Sequence, residues 1–177
     1  VFPAVPDRAT FNALRLLMKY DDGFVAYLND VEVARKNVAQ TSARVWVLCG
    51  DGEMAEGSMW EAMEHAGYWG LGNVTAILDV NRLGQSGPTM HGWDLGAYST
   101  RARACGWAVI EIDGHDLRAI DQAYRFAIAE EERPTLIVAR TMKGRGVPAV
   151  ADREGQHGRP LDDPEAALSE LKSGNRA

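Results

Sequence analysis

Long apolar runs, basic clusters and cysteines are all scarce in this chain. No apolar stretch in its 177 residues approaches the ~20 needed to cross a bilayer, so a membrane-spanning helix is not expected. The start carries no basic-then-apolar stretch, which argues against a secretory leader. Net charge is −6 with no Lys/Arg cluster, which removes nucleic acid from the expected partners. Only two cysteines occur, Cys49 and Cys105. They fit two buried thiols in a reducing, cytoplasmic compartment. Internal repeats and low-complexity tracts are not visible.

What is present is an ordinary globular composition, 46% hydrophobic. The length suits one domain with a substantial core. Four apolar β-type runs stand out: Val45–Cys49, Val74–Val80, Trp107–Ile112 and Thr135–Ala139. Helical segments separate them. The first is expected to begin near Ser58, where Ser58-Met59-Trp60-Glu61 matches a capping box. Met59, Met63, Ala66 and Gly70 mark its inner stripe. The second spans about Asp94 to Cys105 and stops at Gly106. The third starts at Asp116 and places Leu117, Ile120, Tyr124 and Ile128 on one face. A short last helix begins near Asp163, with Pro164 at its first position.

Strands alternating with helices predict an α/β fold: a parallel sheet of at least four strands with helices on both faces. The expected organisation is a helical N-terminal segment over 1–43, an α/β domain over 44–172 and a frayed tail over 173–177. Phe11, Leu14, Leu17 and Met18 form one helical face in the first segment, and Val31, Ala34 and Val38 suggest another.

The chemistry concentrates at two strand ends. The first run leads into Gly50-Asp51-Gly52-Glu53, and the second, one crossover later, into Asp79-Val80-Asn81. Such a crossover brings the ends of parallel strands to one edge of the sheet. Asp51 and Asn81 can then converge, and both offer hard oxygen ligands. A carboxylate and a carboxamide suit Mg²⁺ or Ca²⁺ and not zinc or copper. Mg²⁺ usually keeps one or two protein oxygens beside water and phosphate, so the expected occupant is a metal–diphosphate. Turn formation by Gly50, Gly52 and Gly84 with Asp51 as a helix cap would explain each residue singly, but not their pairing across one crossover.

The strings GDGEMAEGSMWEAM (Gly50 to Met63) and DVNRLGQSGPT (Asp79 to Thr89) resemble the transketolase family, and the GDG–Asn pair resembles the thiamine-diphosphate fingerprint. The resemblance runs from about Arg44 to Pro160. It implies the thiamine-diphosphate-binding fold, thiamine diphosphate with Mg²⁺ or Ca²⁺ as cofactors, and ketol transfer between sugar phosphates. It implies that Asp51, Asn81 and the Leu83 carbonyl bind the metal. Gly50, Asp51, Gly52, Glu53, Asn81, Gln85, Lys143 and His157 would line the cofactor, with Lys143 at the diphosphate. His157, in His157-Gly158-Arg159-Pro160, resembles the histidine of the family's HGxP loop and would hold substrate or move protons. Arg159 stands where relatives often carry Lys. Gly52 would admit the phosphates near a helix start, and Gly50 and Gly84 are expected to adopt angles that a side chain forbids. His91 and His115 are read as structural, and Glu56 resembles a subunit-interface residue.

Departures from the family pattern matter as much. The glycine-rich helix start upstream of the GDG strand has no counterpart in residues 1–43. The family's activating glutamate belongs to a second, pyrimidine-binding domain supplied by the partner subunit, and nothing here matches it. The expectation is therefore a partial domain, inactive alone and completed by a homodimer or a complementary transketolase chain. The alternatives are a non-catalytic interaction domain and a piece of another thiamine-diphosphate enzyme. Met54, Met59, Trp60, Met63, Tyr68 and Trp69 crowd the first crossover helix and predict an outward apolar patch at a subunit contact.

Overall fold

The computed structural model describes residues 44–173. The helical faces expected at Phe11–Met18 and Val31–Val38, and the tail residues 174–177, lie outside that range. Four strands form one sheet: β1 (Val45–Gly50), β2 (Val74–Val80), β3 (Ala108–Asp113) and β4 (Thr135–Arg140). Their order is β1-β2-β4-β3 and every pairing is parallel. Between and after them run α1 (Gly57–Tyr68), α2 (Leu95–Ala104), α3 (Leu117–Ala129) and α4 (Pro164–Lys172). The expected α/β class and the expected strands are all found.

Alternate strand residues point to opposite faces. Ala76, Leu78, Val80, Leu136 and Val138 pack with Met59, Met63 and Ala66 of α1 and with Tyr98 and Ala102 of α2. Ile137 packs the other way, against Ala123 and Ala127 of α3, with Ile77, Ile110 and Ile112 beside it. Both faces of β2 and β4 are thus covered, which is why these strands read as continuous apolar runs. Each fully buried Leu or Ile contributes about 1.5–3 kcal/mol.

Acidic caps set three helix starts. Asp94 accepts from the Ala97 N–H, Asp116 from those of Arg118 and Ala119, and Asp163 from that of Ala166. Each is worth about 1 kcal/mol. Gly106, at φ +87°, ends α2 as expected. The capping box at Ser58 is not formed. Glu56 is the N-cap of α1, makes no side-chain cap bond and accepts the Met59 N–H at its carbonyl. The extended backbone at Glu56, leaving a short 3-10 turn over Glu53–Ala55, moves the N-cap two residues upstream of Ser58 and draws Ser58 into the first turn.

Two expectations about helix faces are corrected. On α3 the buried positions are Ala123 and Ala127, whereas Leu117 is 81% exposed and Ile128 more than half exposed. Alanine lets the helix approach Ile137 closely, and the larger residues then project beyond the sheet. Tyr124 reaches Trp46 edge-on, with centroids 5.2 Å apart. On α1 the crowded apolar residues mostly turn inward. Met54, Met59 and Met63 are buried, and Trp60 donates to the Met54 carbonyl at 2.8 Å beneath the Arg101 guanidinium. Only Tyr68 of the six is exposed, at 80%. Met59, Met63 and Ala66 form the inner stripe expected of this helix, and of the patch expected to face outward Met54 is buried, Trp60 and Trp69 are half-buried and Tyr68 alone is exposed.

Candidate cation and phosphate site

Parallel register aligns the strand ends. Gly50 lies beside Asp79, and Asp79 beside Ala139. Asp51, Asn81 and Lys143 therefore leave β1, β2 and β4 at one edge, beyond the carboxyl ends, where open α/β sheets bind ligands.

Asp51 is 4% exposed, yet every hydrogen bond it accepts comes from a neutral group. The Arg82 N–H donates to Oδ2 at 2.6 Å, the Thr89 hydroxyl donates to the same oxygen at 3.1 Å, and the Gly52 N–H contributes. Burial pushes its carboxyl above the usual 3.8, and the charge of Asp79 adds to the rise; the hydrogen bonds from Arg82 and Thr89 pull back. A buried carboxylate held by neutral donors, with a second carboxylate near, is a site deficient in positive charge. That donor set fits a hard divalent cation. Among the described residues no cluster of three or more His, Cys, Asp or Glu exists that would hold a metal by itself.

The loop after β2 folds onto Asp51. Arg82 takes the left-handed conformation, φ 65°, which turns its N–H toward Asp51. Its carbonyl accepts the Thr89 N–H, and a bridge pairs Leu83 with Pro88. The Asn81 side chain donates to Asp79 Oδ2 at 2.9 Å, while its oxygen accepts the Leu83 N–H at 3.1 Å. Asp79 also accepts the Thr141 hydroxyl. The Leu83 carbonyl accepts from Lys143 Nζ at 3.2 Å, and the same ammonium lies 3.0 Å from His157 Nδ1. A cation, the lysine's own, thus already stands on the carbonyl that the resemblance assigned to the metal. A cavity of about 510 Å³ opens beside these groups. Asp79, Asn81, His115 and Lys143 line its polar part, and Leu48, Ile77, Ile120 and Tyr124 its apolar part.

The structure thus brings Asp51, Asn81, Leu83, Lys143 and His157 to one edge. Gly50 donates its N–H to Glu53 Oε2 at 2.5 Å, so that carboxylate folds back on the GDG turn. Gly52 is exposed beside it and caps only the 3-10 turn, α1 starting further on. Gln85 is exposed on the 82–89 loop and does not line the cavity. Neither Gly50, Gly52 nor Gly84 has a positive φ, contrary to expectation for Gly50 and Gly84. The left-handed work in this loop is done by Arg82, and after β4 by Gly144, where a Cβ would meet the Val150 carbonyl at 3.0 Å. His115 Nε2 accepts the Met142 N–H at 2.8 Å, and His91 packs edge-on to Tyr98. These contacts tie His115 to the chain after β4 and His91 to α2, and His115 also lines the cavity.

Sequence reasoning passed over Arg82, Thr89, Asp79, Trp93 and Asp152. The Arg82 guanidinium pairs with Asp152 at 2.6 Å and lies 5.0 Å from the Trp93 ring centroid, with Arg140 at 4.8 Å. Trp93 Nε1 donates to the Thr141 carbonyl at 3.0 Å. No local pattern marks these residues, because each contact spans a loop or a crossover. The left-handed conformations of Arg82 and Asp152, each costing roughly 1–2 kcal/mol, are likewise invisible in a residue string.

Comparison with known proteins decides the lineage. The family model described as "Transketolase, thiamine diphosphate binding domain" matches residues 26–176. The chain belongs to this family. The match begins upstream of β1, in residues where no family motif is legible. Transketolase-like protein 2 from Bos taurus is 48% identical over 128 residues, covering 71% of this chain and 20% of the bovine protein. Human transketolase is 46% identical over 122 residues, or 69% of this chain and 19% of that protein. A mutant transketolase from Pichia stipitis superposes with a TM-score of 0.67 at 30% identity, covering 81% of this chain and 22% of its own. The Pichia stipitis enzyme in complex with sedoheptulose-7-phosphate gives 0.67 at 28% identity, with the same coverage. The chain spans about a fifth of the length of the relatives it matches. Its α/β sheet is that of the transketolase thiamine-diphosphate-binding domain.

Proposed function

We propose that this chain carries the diphosphate-holding part of a ketol transferase, moving a two-carbon unit between sugar phosphates. The observation that carries the reading is Asp51, a buried carboxylate with neutral donors only, at the strand edge shared with Asn81, Leu83 and Lys143. Asp51, Asn81 and the Leu83 carbonyl would hold Mg²⁺ or Ca²⁺. Thiamine diphosphate, when bound, supplies carbanion chemistry. This chain's task is to hold and orient its diphosphate. Lys143, whose ammonium now stands on the Leu83 carbonyl, would hold the phosphates with its charge. His157, 3.0 Å from that ammonium, would offer a ring nitrogen to substrate oxygen. Sugar-phosphate substrates are supported by the Pichia stipitis complex with sedoheptulose-7-phosphate. A second copy or a complementary transketolase chain is the partner that membership of the family supports. A cytoplasmic setting accords with the two free thiols.

Calorimetry of the full chain with Mg²⁺ and thiamine diphosphate tests this. Metal-dependent binding that Asp51→Ala abolishes is expected. Equal binding by that variant would remove Asp51 from the site and the reading with it.

A further inference from the structure

We infer that Arg82 and Asp152 are positioning residues, an ion-paired clamp that holds the Asp51 half of the site in register with the Lys143–His157 half. The inference rests on the metal–diphosphate reading above and concerns how that site is kept assembled.

Each partner belongs by its backbone to a different half. The Arg82 N–H donates to Asp51 Oδ2 at 2.6 Å, and its carbonyl accepts the N–H of Thr89, whose hydroxyl also reaches Asp51. The Asp152 N–H donates to the Lys143 carbonyl at 2.9 Å, closing the loop that follows β4 at its root. The side chains then join the halves. Arg82 Nη2 is 2.6 Å from Asp152 Oδ2 and 3.4 Å from the Asp152 carbonyl. Trp93 flanks the guanidinium.

Backbone strain points the same way. Arg82 and Asp152 are the only non-glycine residues of positive φ among the described residues, at 65° and 56°. Glycine is the unstrained choice at such positions. At both, the chain instead carries a charged side chain, and the two charges face each other.

A second tie links the halves, from Lys143 Nζ to the Leu83 carbonyl. That tie is the one a bound metal–diphosphate would compete for, since the Leu83 carbonyl would serve the metal and the Lys143 ammonium the phosphates. Arg82–Asp152 lies off the ligating atoms and can persist in both states. Loss of the clamp should therefore matter most when ligand binds. The pair is part-buried, with a little over a quarter of each side chain in water, and it joins two loops rather than core elements, so its loss should affect binding more than melting.

The test uses the full chain with Arg82→Gln, Asp152→Asn, the double variant and the charge swap Arg82→Asp/Asp152→Arg. Each single variant should weaken Mg²⁺–thiamine diphosphate binding by about 10–100-fold, as for groups that orient metal ligands. The double should be no weaker than either single, the charge swap should recover part of the loss, and Tm should hardly move. Unchanged affinity, or losses that simply multiply in the double, would overturn the clamp. Amide exchange of the ligand-free chain provides an independent measure. Asp152→Asn should speed exchange of the Arg82 N–H at least several-fold, although Asp152 does not touch that amide. An unaltered rate refutes the clamp even if ligand binds. Failure of the wild-type chain to bind ligand refutes the metal–diphosphate reading and leaves the exchange experiment to judge the clamp.

Discussion

Replacing Asp51 with Asn separates the structural penalty of its charge from its proposed use. Asp51 sits nearly out of water, and burial raises its carboxyl pKa, more than the neutral donors lower it. The sign follows from linkage. With a folded pKa above the usual 3.8, the folded state holds the proton more tightly than the unfolded one. Stability is therefore lost as pH rises through that interval, and at neutral pH the ionised group is a standing penalty. A single carboxyl can contribute a slope of at most about 1.4 kcal/mol per pH unit. Asparagine keeps an oxygen for the Arg82 N–H and the Thr89 hydroxyl, and removes the charge. Without divalent ions, the variant should match wild type at low pH and exceed it at pH 7 by about 1 kcal/mol, or about 4 °C in Tm. Saturation at a hundredfold excess over Kd should then stabilise wild type by about 2.7 kcal/mol and the variant hardly at all. Denaturant titrations at pH 4 and pH 7, with and without Mg²⁺–thiamine diphosphate, give all four values. A variant no more stable than wild type in the metal-free state at pH 7 would refute the burial argument. A variant stabilised as much as wild type by the ligand would refute the site.

Lys143→Met should weaken diphosphate-dependent binding about tenfold or more, with little change in Tm, because the ammonium is half-buried and bonded only at the site; calorimetry and a melting curve suffice. Leu78→Ala removes a fully buried side chain between β1 and β4 and should cost about 2–5 kcal/mol in urea unfolding. Burial, helped by Glu53, pushes the Cys49 thiol to about 12, so alkylation at pH 8 should spare it until the chain unfolds. Trp60→Glu should lower stability rather than only dissociate a complex, since the ring packs against the core and lies under Arg101; melting and light scattering of the same sample distinguish the two.

Periodicity and punctuation carried the strands, because β2 and β4 are apolar on both faces and each crossover ends at glycine or proline. That Asp51 and Asn81 leave the sheet at one edge was legible for the same reason: parallel strands one crossover apart must end together. Asp94, Asp116 and Asp163 announced their helices because a cap needs only the next turn of chain. Everything local to one element, or forced by parallel pairing, could be read from the residues in order. What faced what could not. Ser58 lost its cap to the preceding 3-10 turn, and α3 buried its alanines rather than its larger residues. The Thr89 hydroxyl on Asp51, Lys143 on the Leu83 carbonyl and the Arg82–Asp152 pair join residues far apart in the chain. Such contacts depend on how loops settle after the sheet has formed, and no spacing or propensity encodes that settlement. The sequence alone determined the strand frame and the edge at which the chemistry gathers; tertiary packing alone decided which charges meet there, because long-range contacts are fixed by the space the sheet and helices leave.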